Sequence, residues 1–161
     1  MIHLNPREIR PQYDEREAAD KAMMNDIIVE LHQITTPGEY WYMATPYTKY
    51  ADGRDRAFMD ACALVVAFTS VGVPVYSPIA HWHIPDTLGQ FGDDEQMWQR
   101  INAPLLTNAK GLLVCKLPGW EFSRGVAAEI AACESTKPIY YVNLPPLAQV
   151  APPVDQPHYY A

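Results

Sequence analysis

The chain has 161 residues, of which 48% are hydrophobic and 19% charged, so it suits one globular domain with a sizeable core and is too apolar for a disordered chain. Its 12 basic and 19 acidic side chains give a net charge of −7, which argues against a surface built for nucleic-acid polymers or anionic membranes. No apolar run approaches the roughly 20 residues that span a bilayer and the N-terminal segment lacks a signal-peptide core, so we expect a cytoplasmic protein without a membrane partner.

The hydrophobic pattern predicts helices and strands that alternate along the chain. Four continuous apolar runs are predicted as strands: 39–44, 73–79, 111–117 and 138–144. Helices are predicted over 14–34, from the polar loop 45–56 to Gly72, from about Glu95 with a kink or a new turn at Pro104, and from near Ser123. The segment 80–94 is rich in Gly, Pro and His and is predicted to be a long loop, which at this length is usually functional or disordered; residues 89–92 could form the hinge of a lid over the site.

This alternation predicts the fold class. Strands that are continuous apolar runs are typical of a parallel sheet covered by helices on both faces. We therefore expect an α/β protein with a small doubly wound, Rossmann- or flavodoxin-like sheet and an extra N-terminal helix. Three parts are predicted: an extension with a helix over 1–38, the domain itself over 39–144, and a proline-rich tail over 145–161.

A glutamate follows the third predicted strand in the stretch GWEFSRGVAAEI. In doubly wound folds ligands bind beyond the carboxyl ends of the strands, where this stretch begins. Ser123 is a predicted N-cap, Gly125 lets a ligand approach the first turn, and the free N–H groups there favour an anion. Glu129 lies one turn further on the same face, so its carboxylate would face the same crevice, although a helical glutamate is more often a solvated surface residue.

Four segments of the chain carry a resemblance to a known family: YMATPYTKYADGR, VYSPIAHWH, LLVCKLPGWEFSRGVAAEI and KPIYYV. Together they resemble the nucleoside 2-deoxyribosyltransferase superfamily over residues 40–143, and most of all its phage and bacterial branch with an L-P-G-W-x-x-S-x-G-[VI]-x-x-E segment. Ser123, Gly125 and Glu129 reproduce the spacing S-x-G-x-x-x-E. The resemblance implies that Glu129 attacks the anomeric carbon of a deoxyribose and forms a covalent glycosyl-enzyme, which a second nucleobase or water resolves. A carboxylate is the usual nucleophile at such a centre.

The resemblance also implies how a substrate is held. Ser123 and Gly125 would hold the 5′ end of the sugar, as hydroxyl or phosphate, and Tyr47 and the loop with Arg54 would close over sugar or phosphate. The expected partner is a small nucleoside or nucleotide, and no cofactor is expected. A homo-oligomer is expected too, in which a neighbouring subunit's C-terminal segment, here with His158, Tyr159 and Tyr160, could complete the site.

The chain departs from the resembled family at Asn102, where relatives usually carry an aspartate that assists the nucleophile or handles the proton of the base. An amide can form hydrogen bonds but cannot exchange a proton. Either Asp93 or Asp94 takes over the role, or the base leaves without that help, or catalysis is weak. A second acid of the family, just before the third strand, is replaced by Lys110.

The remaining candidates flank the second and third strands. After the second strand, Pro78, His81, Trp82 and His83 are predicted to recognise base or sugar, with Trp82 or His83 stacking on it; a merely structural segment is the alternative. Zinc binding by His81, His83 and Asp86 is a further alternative, but no other ligand completes a tetrahedral site, so no metal is predicted.

After the third strand, Trp120 and Glu121 precede the helix start. Glu121 is predicted to orient the loop or to bind a sugar hydroxyl, and Arg124 is predicted to face solvent, where it could also touch a phosphate.

Two functions follow from these residues. The first is cleavage or transfer at the N-glycosidic bond of a 2′-deoxynucleoside or its 5′-monophosphate, through a covalent intermediate on Glu129. The second, which the loss of the acid at Asn102 motivates, is a non-catalytic module that binds or senses a nucleotide. A dinucleotide-binding domain is disfavoured, because the first strand is not followed by GxGxxG.

Overall fold

The computed structural model describes residues 22, 25–89, 91 and 94–143. Its strands are β1 (Trp41–Ala44), β2 (Val75–Tyr76), β3 (Gly111–Cys115) and β4 (Ile139–Val142). Its helices are α1 (25–34), α2 (Gly53–Ser70), α3 (Pro78–Gly89), α4 (Glu95–Asn108), a 3₁₀ helix (Trp120–Phe122) and α5 (Arg124–Cys133). The predicted helix over 14–34 is described from residue 25 onward and at residue 22, and its remainder lies outside the described residues.

The four strands form one sheet in the order β2-β1-β3-β4, and all three pairings are parallel. The chain passes from β1 to β2 on one side and then returns to place β3 on the other side of β1. The strand order therefore reverses between β1 and β3, which is where an open α/β sheet forms a crevice at the carboxyl ends of its strands. The prediction of a doubly wound α/β fold is confirmed.

Alternate residues of the central strands point to opposite faces of the sheet and build two cores. Trp41 and Met43 pack with Leu113 on the face covered by α1 and α2. Tyr42 and Val114, on the other face, pack against α4 and α5. Because both faces are buried, β1 and β3 have no polar position, and this explains why they read as continuous apolar runs.

The prediction of a long loop over 80–94 is wrong, because residues 78–89 form α3. The Ser77 hydroxyl accepts a hydrogen bond from the Ala80 N–H (3.1 Å), and Pro78 occupies the first position of the helix, where its missing N–H costs nothing. This helix start also shortens β2 to Val75–Tyr76, against the predicted 73–79. The predicted hinge at 89–92 lies partly outside the described residues, since Gln90 and Gly92 are not described.

The two helices that frame the crevice start at capping side chains. Asp94 accepts a hydrogen bond from the Met97 N–H (3.0 Å) at the start of α4, which continues through Pro104 as one helix. The Ser123 hydroxyl accepts one from the Val126 N–H (3.4 Å), as predicted for the start of α5. Among the described residues, no helix combines the length and apolar character needed to cross a membrane.

Candidate functional site

A cavity of about 530 Å³ lies beyond the carboxyl ends of β1 and β3. The loop after β1 (residues 45–49) and the start of α3 form one side of it, and residues from α4, Gly119, Phe122 and the first two turns of α5 form the other. The volume is within the ~300–1,000 Å³ that is usual for small-molecule sites. The switch in strand order therefore opens a space of ligand size at the predicted edge of the sheet.

Glu129 is a partly buried residue in the wall of this cavity. The Tyr42 hydroxyl donates a hydrogen bond to its Oε1 (2.8 Å). Burial raises the pKa of the Glu129 carboxyl to about 7, and the hydrogen bond from Tyr42 opposes the rise. The carboxyl is thus about half ionised near neutral pH, a state in which it can act as a nucleophile or exchange a proton.

The first turn of α5 is open to the cavity. A Cβ added at Gly125 would meet only the Ser123 Oγ, at 3.9 Å, so the packing of the protein does not require a glycine there. Ser123, Gly125 and Glu129 all line the cavity: Ser123 caps the helix, and Glu129 lies one turn beyond Gly125. The glycine leaves room beside the helix start for a ligand group, and the N–H groups of that turn favour an anion or a hydrogen-bond acceptor.

Asn102 is a buried residue of α4, and both ends of its amide are hydrogen-bonded. Its Oδ1 accepts from the Tyr76 hydroxyl (3.2 Å) and its Nδ2 donates to the Trp98 carbonyl (3.1 Å). The Trp82 indole N–H also donates to the Tyr76 hydroxyl (3.1 Å). Asn102, Trp82 and Trp98 all line the cavity, so this amide anchors an aromatic wall. The Tyr76 ring in turn lies 5.7 Å from the ring of Tyr42.

A second polar network holds Tyr47 in the lining of the cavity. Its hydroxyl donates to Asp86 Oδ2 (3.2 Å) and lies 2.9 Å from His83 Nδ1. Burial, with Asp86 as the second cause, raises the pKa of Tyr47 to about 12. Arg54 pairs with Asp86 (3.4 Å) and lies 5.3 Å from the centre of the Tyr47 ring. Tyr47 and His83 line the cavity, whereas Arg54 contacts the Tyr47 ring and Asp86 and does not line it.

The structure brings eight of the predicted site residues together around the cavity: Tyr47, Pro78, Trp82, His83, Asn102, Ser123, Gly125 and Glu129. Five others do not line it: Arg54, His81, Asp94, Trp120 and Glu121.

Each of these five has a different position. Arg54 is engaged with Asp86, and Asp94 caps α4. Trp120 packs 5.8 Å from the ring of Tyr141, while Glu121 is exposed.

His81 and His83 diverge, because residues two apart on a helix point in different directions. His81 is exposed and His83 is buried. Among the residues that the structure describes, no group of three His, Cys, Asp or Glu side chains could hold a metal ion. Asp93, the alternative acid, and the tail residues His158, Tyr159 and Tyr160 lie outside the described residues. Lys110 forms an ion pair with Glu39 (2.6 Å) and does not line the cavity.

Several lining residues were missed by sequence reasoning, above all Tyr42 and Thr45. The alternation of the aromatic strand WYMA indicates that Tyr42 faces away from Trp41 and Met43, but the sequence does not say which helix covers that face. Thr45 follows the strand directly; its side-chain hydroxyl is buried and has no hydrogen-bond partner among the described residues. A polar residue directly after an apolar strand was the sequence signal that could have identified Thr45 as a site residue.

Residues 39–142 match the family described as Domain of unknown function (DUF1937). The chain belongs to this family. The matched part of this DUF1937 protein runs from just before β1 to the end of β4 and contains all the described residues that line the cavity. Helix α1 precedes the match. A comparison with curated proteins finds no match.

Proposed function

We propose that this DUF1937 protein cleaves or transfers at the N-glycosidic bond of a 2′-deoxynucleoside or its 5′-monophosphate. The observation that carries the proposal is the Glu129 carboxyl, which lies in the wall of a ligand-sized cavity and accepts a hydrogen bond from Tyr42. The proposal extends the resemblance of the S-x-G-x-x-x-E segment to the nucleoside 2-deoxyribosyltransferase superfamily.

The proposed reaction has two steps on Glu129. One carboxylate oxygen forms a bond to C1′ of the sugar while the C1′–N bond breaks; the base leaves with the electron pair and takes up a proton from water. Water or a second base then displaces the carboxylate at C1′, which gives hydrolysis or transfer. The attack needs the ionised carboxylate, so a pKa of about 7 makes the rate rise with pH through neutrality.

The walls of the cavity suit the two halves of such a substrate. Trp82, Trp98 and Phe122 offer aromatic surface on which a nucleobase can stack. Tyr47 and the first turn of α5 offer a hydroxyl and backbone N–H groups to the sugar and its 5′ end. On this proposal the partner is a small nucleoside or nucleotide, and the protein acts in the cytoplasm as a homo-oligomer.

Chromatography of reaction mixtures tests the proposal. The purified protein is incubated with deoxynucleosides and deoxynucleoside monophosphates, with and without a second free base. Free base indicates hydrolysis, and an exchanged base indicates transfer. Glu129→Gln is expected to abolish turnover while binding persists, and Glu134→Gln, an exposed carboxylate at the end of the same helix, is expected to retain it. A Glu129→Gln variant with wild-type rates would sink the proposal.

A second candidate is a non-catalytic nucleotide-binding module, which the state of Asn102 favours. Its amide is committed to Tyr76 and to the Trp98 carbonyl and cannot exchange a proton with a leaving base. This candidate predicts that a nucleotide raises the Tm of the protein without any product. Release of a base that depends on Glu129 would exclude it.

A further inference from the structure

An ion pair lies across the mouth of the cavity. Arg124 is the first residue of α5 and Glu95 is the first residue of α4. The Arg124 guanidinium is paired with the Glu95 carboxylate, and both residues line the cavity. Their side chains are 75% and 50% exposed, so water screens the pair, which contributes little to stability and opens easily.

The other charges around the mouth are arranged for an anion. Lys49, on the loop after β1, lines the cavity, is exposed, and has no hydrogen bond or ion pair within the described part of the chain. Among the described residues that line the cavity, the carboxylates are Glu129, which the proposed function assigns to the anomeric carbon, and Glu95, and the cations are Lys49 and Arg124. A chain with a net charge of −7 thus keeps a locally cationic mouth, offset by one carboxylate.

Thr45 adds an independent sign of a ligand. It lines the same cavity and is only 7% exposed, yet its Oγ1 has no partner among the described residues. A buried hydroxyl without a hydrogen bond is costly, and a polar ligand in the cavity would satisfy it.

We propose that Glu95 is a specificity-determining residue, an internal counter-ion that occupies Arg124 until a phosphate monoester displaces it. The displaced pair is weak, whereas a guanidinium binds a phosphate through two parallel, charge-assisted hydrogen bonds. Lys49 adds a second positive charge to the bound anion. A neutral nucleoside does not compete for Arg124, so Glu95 changes the affinity for phosphorylated ligands selectively. The choice of a nucleotide as ligand rests on the proposed function; the anion site itself does not.

Calorimetric titration of the full chain tests this, with no need for turnover. The probes are 2′-deoxyadenosine 5′-monophosphate, 2′-deoxyadenosine, deoxyribose 5-phosphate and inorganic phosphate. Glu95→Gln is expected to tighten monophosphate binding about three- to tenfold and to leave nucleoside binding within about twofold. Arg124→Gln and Lys49→Gln are each expected to weaken monophosphate binding about tenfold. Glu134→Gln removes the same charge outside the cavity and should change neither.

A double variant distinguishes two ways in which Glu95 could weaken phosphate binding: by pairing with Arg124, as proposed, or by direct charge repulsion of the phosphate. In the Arg124→Gln background, the gain from Glu95→Gln should shrink; an undiminished gain would overturn the proposal, as would equal gains for nucleoside and monophosphate. If Glu95→Gln tightened the binding of deoxyribose 5-phosphate and inorganic phosphate but not of the nucleotide, the anion site would stand and the nucleotide would be rejected as its ligand. If no substrate is turned over while the monophosphate responds to Glu95→Gln, the glycosidic function fails and this inference stands.

Discussion

Replacing Glu129 by glutamine is expected to make the protein more stable at neutral and alkaline pH. Burial raises the pKa of this carboxyl from 4.5 to about 7 in the folded state. Between pH 4.5 and about pH 7 the folded state therefore binds more protons than the unfolded chain. The stability that this group contributes is full below about pH 4.5 and is lost as the pH rises through about 7.

The size of the effect follows from the same two values. One pKa unit corresponds to about 1.4 kcal/mol, so the difference between the folded and unfolded pKa values of Glu129 corresponds to about 3 kcal/mol. At high pH the folded protein is less stable by this amount with a charged side chain here than with an uncharged one. Water in the open cavity reduces this, so we expect Glu129→Gln to gain about 1–3 kcal/mol near pH 8.5 and little near pH 5. The glutamine can still accept the hydrogen bond from Tyr42. In a domain of this size such a gain raises the Tm by several degrees.

Urea denaturation and thermal melts of both proteins, at about pH 5, 7 and 8.5, measure the gain. Glu134→Gln, at the exposed end of the same helix, is the control, and its difference from wild type should not grow with pH. If Glu129→Gln were no more stable than wild type at pH 8.5, or if its advantage were the same at pH 5, burial would not control the charge of this residue.

Four further predictions concern the walls of the cavity and the sheet. Tyr42→Phe removes a hydrogen bond that lowers the pKa of Glu129, so the midpoint of the pH–rate profile should move up by about one pH unit. Asn102→Ala removes a buried amide together with its hydrogen bonds to the Tyr76 hydroxyl and the Trp98 carbonyl and should cost about 1–3 kcal/mol in urea denaturation. Gly125→Ala adds a methyl group in open space. It should leave the free energy of unfolding unchanged or raise it by up to about 1 kcal/mol, which a thermal melt measures. It should also weaken ligand binding in a titration, because the methyl group occupies ligand space. Gly111→Ala would place a Cβ 2.6 Å from a backbone oxygen and should cost at least about 2 kcal/mol.

Specific results would contradict these predictions. An unchanged midpoint for Tyr42→Phe would mean that the hydroxyl does not act on the carboxyl. Asn108→Ala, which removes an exposed amide on α4, is the control for Asn102→Ala. If both variants lost the same free energy of unfolding, the buried amide would have no special structural role. Equal losses for Gly125→Ala and Gly111→Ala would show that the first turn of α5 is packed rather than open.

Most of the fold was predictable because its signals are local. Continuous apolar runs indicated the strands of a doubly wound sheet, and Ser123 indicated where α5 begins. The failure at α3 was also local: a Ser-Pro start signal was present, but Gly, Pro and His residues in the segment favoured a loop. Once Ser77 and Pro78 have nucleated the helix, packing against α2 compensates for the weak helix formers within it.

The candidate site divides in the same way. The sequence by itself determined that Ser123 caps a helix and that Gly125 and Glu129 share one face at its start, because these two are four residues, or about one helical turn, apart. Only the tertiary structure decided that Tyr42, 87 residues earlier in the chain, is the hydrogen-bond partner of Glu129.

The tertiary structure also decided that Arg54 pairs with Asp86 and that Glu95 meets Arg124. The physical reason is the strand order. Placing β3 beside β1 brings α5 over the face of β1 that carries Tyr42, and brings the starts of α4 and α5 to one crevice. A periodic pattern shows which residues share a face, but the partner that covers this face depends on the order in which strands pair.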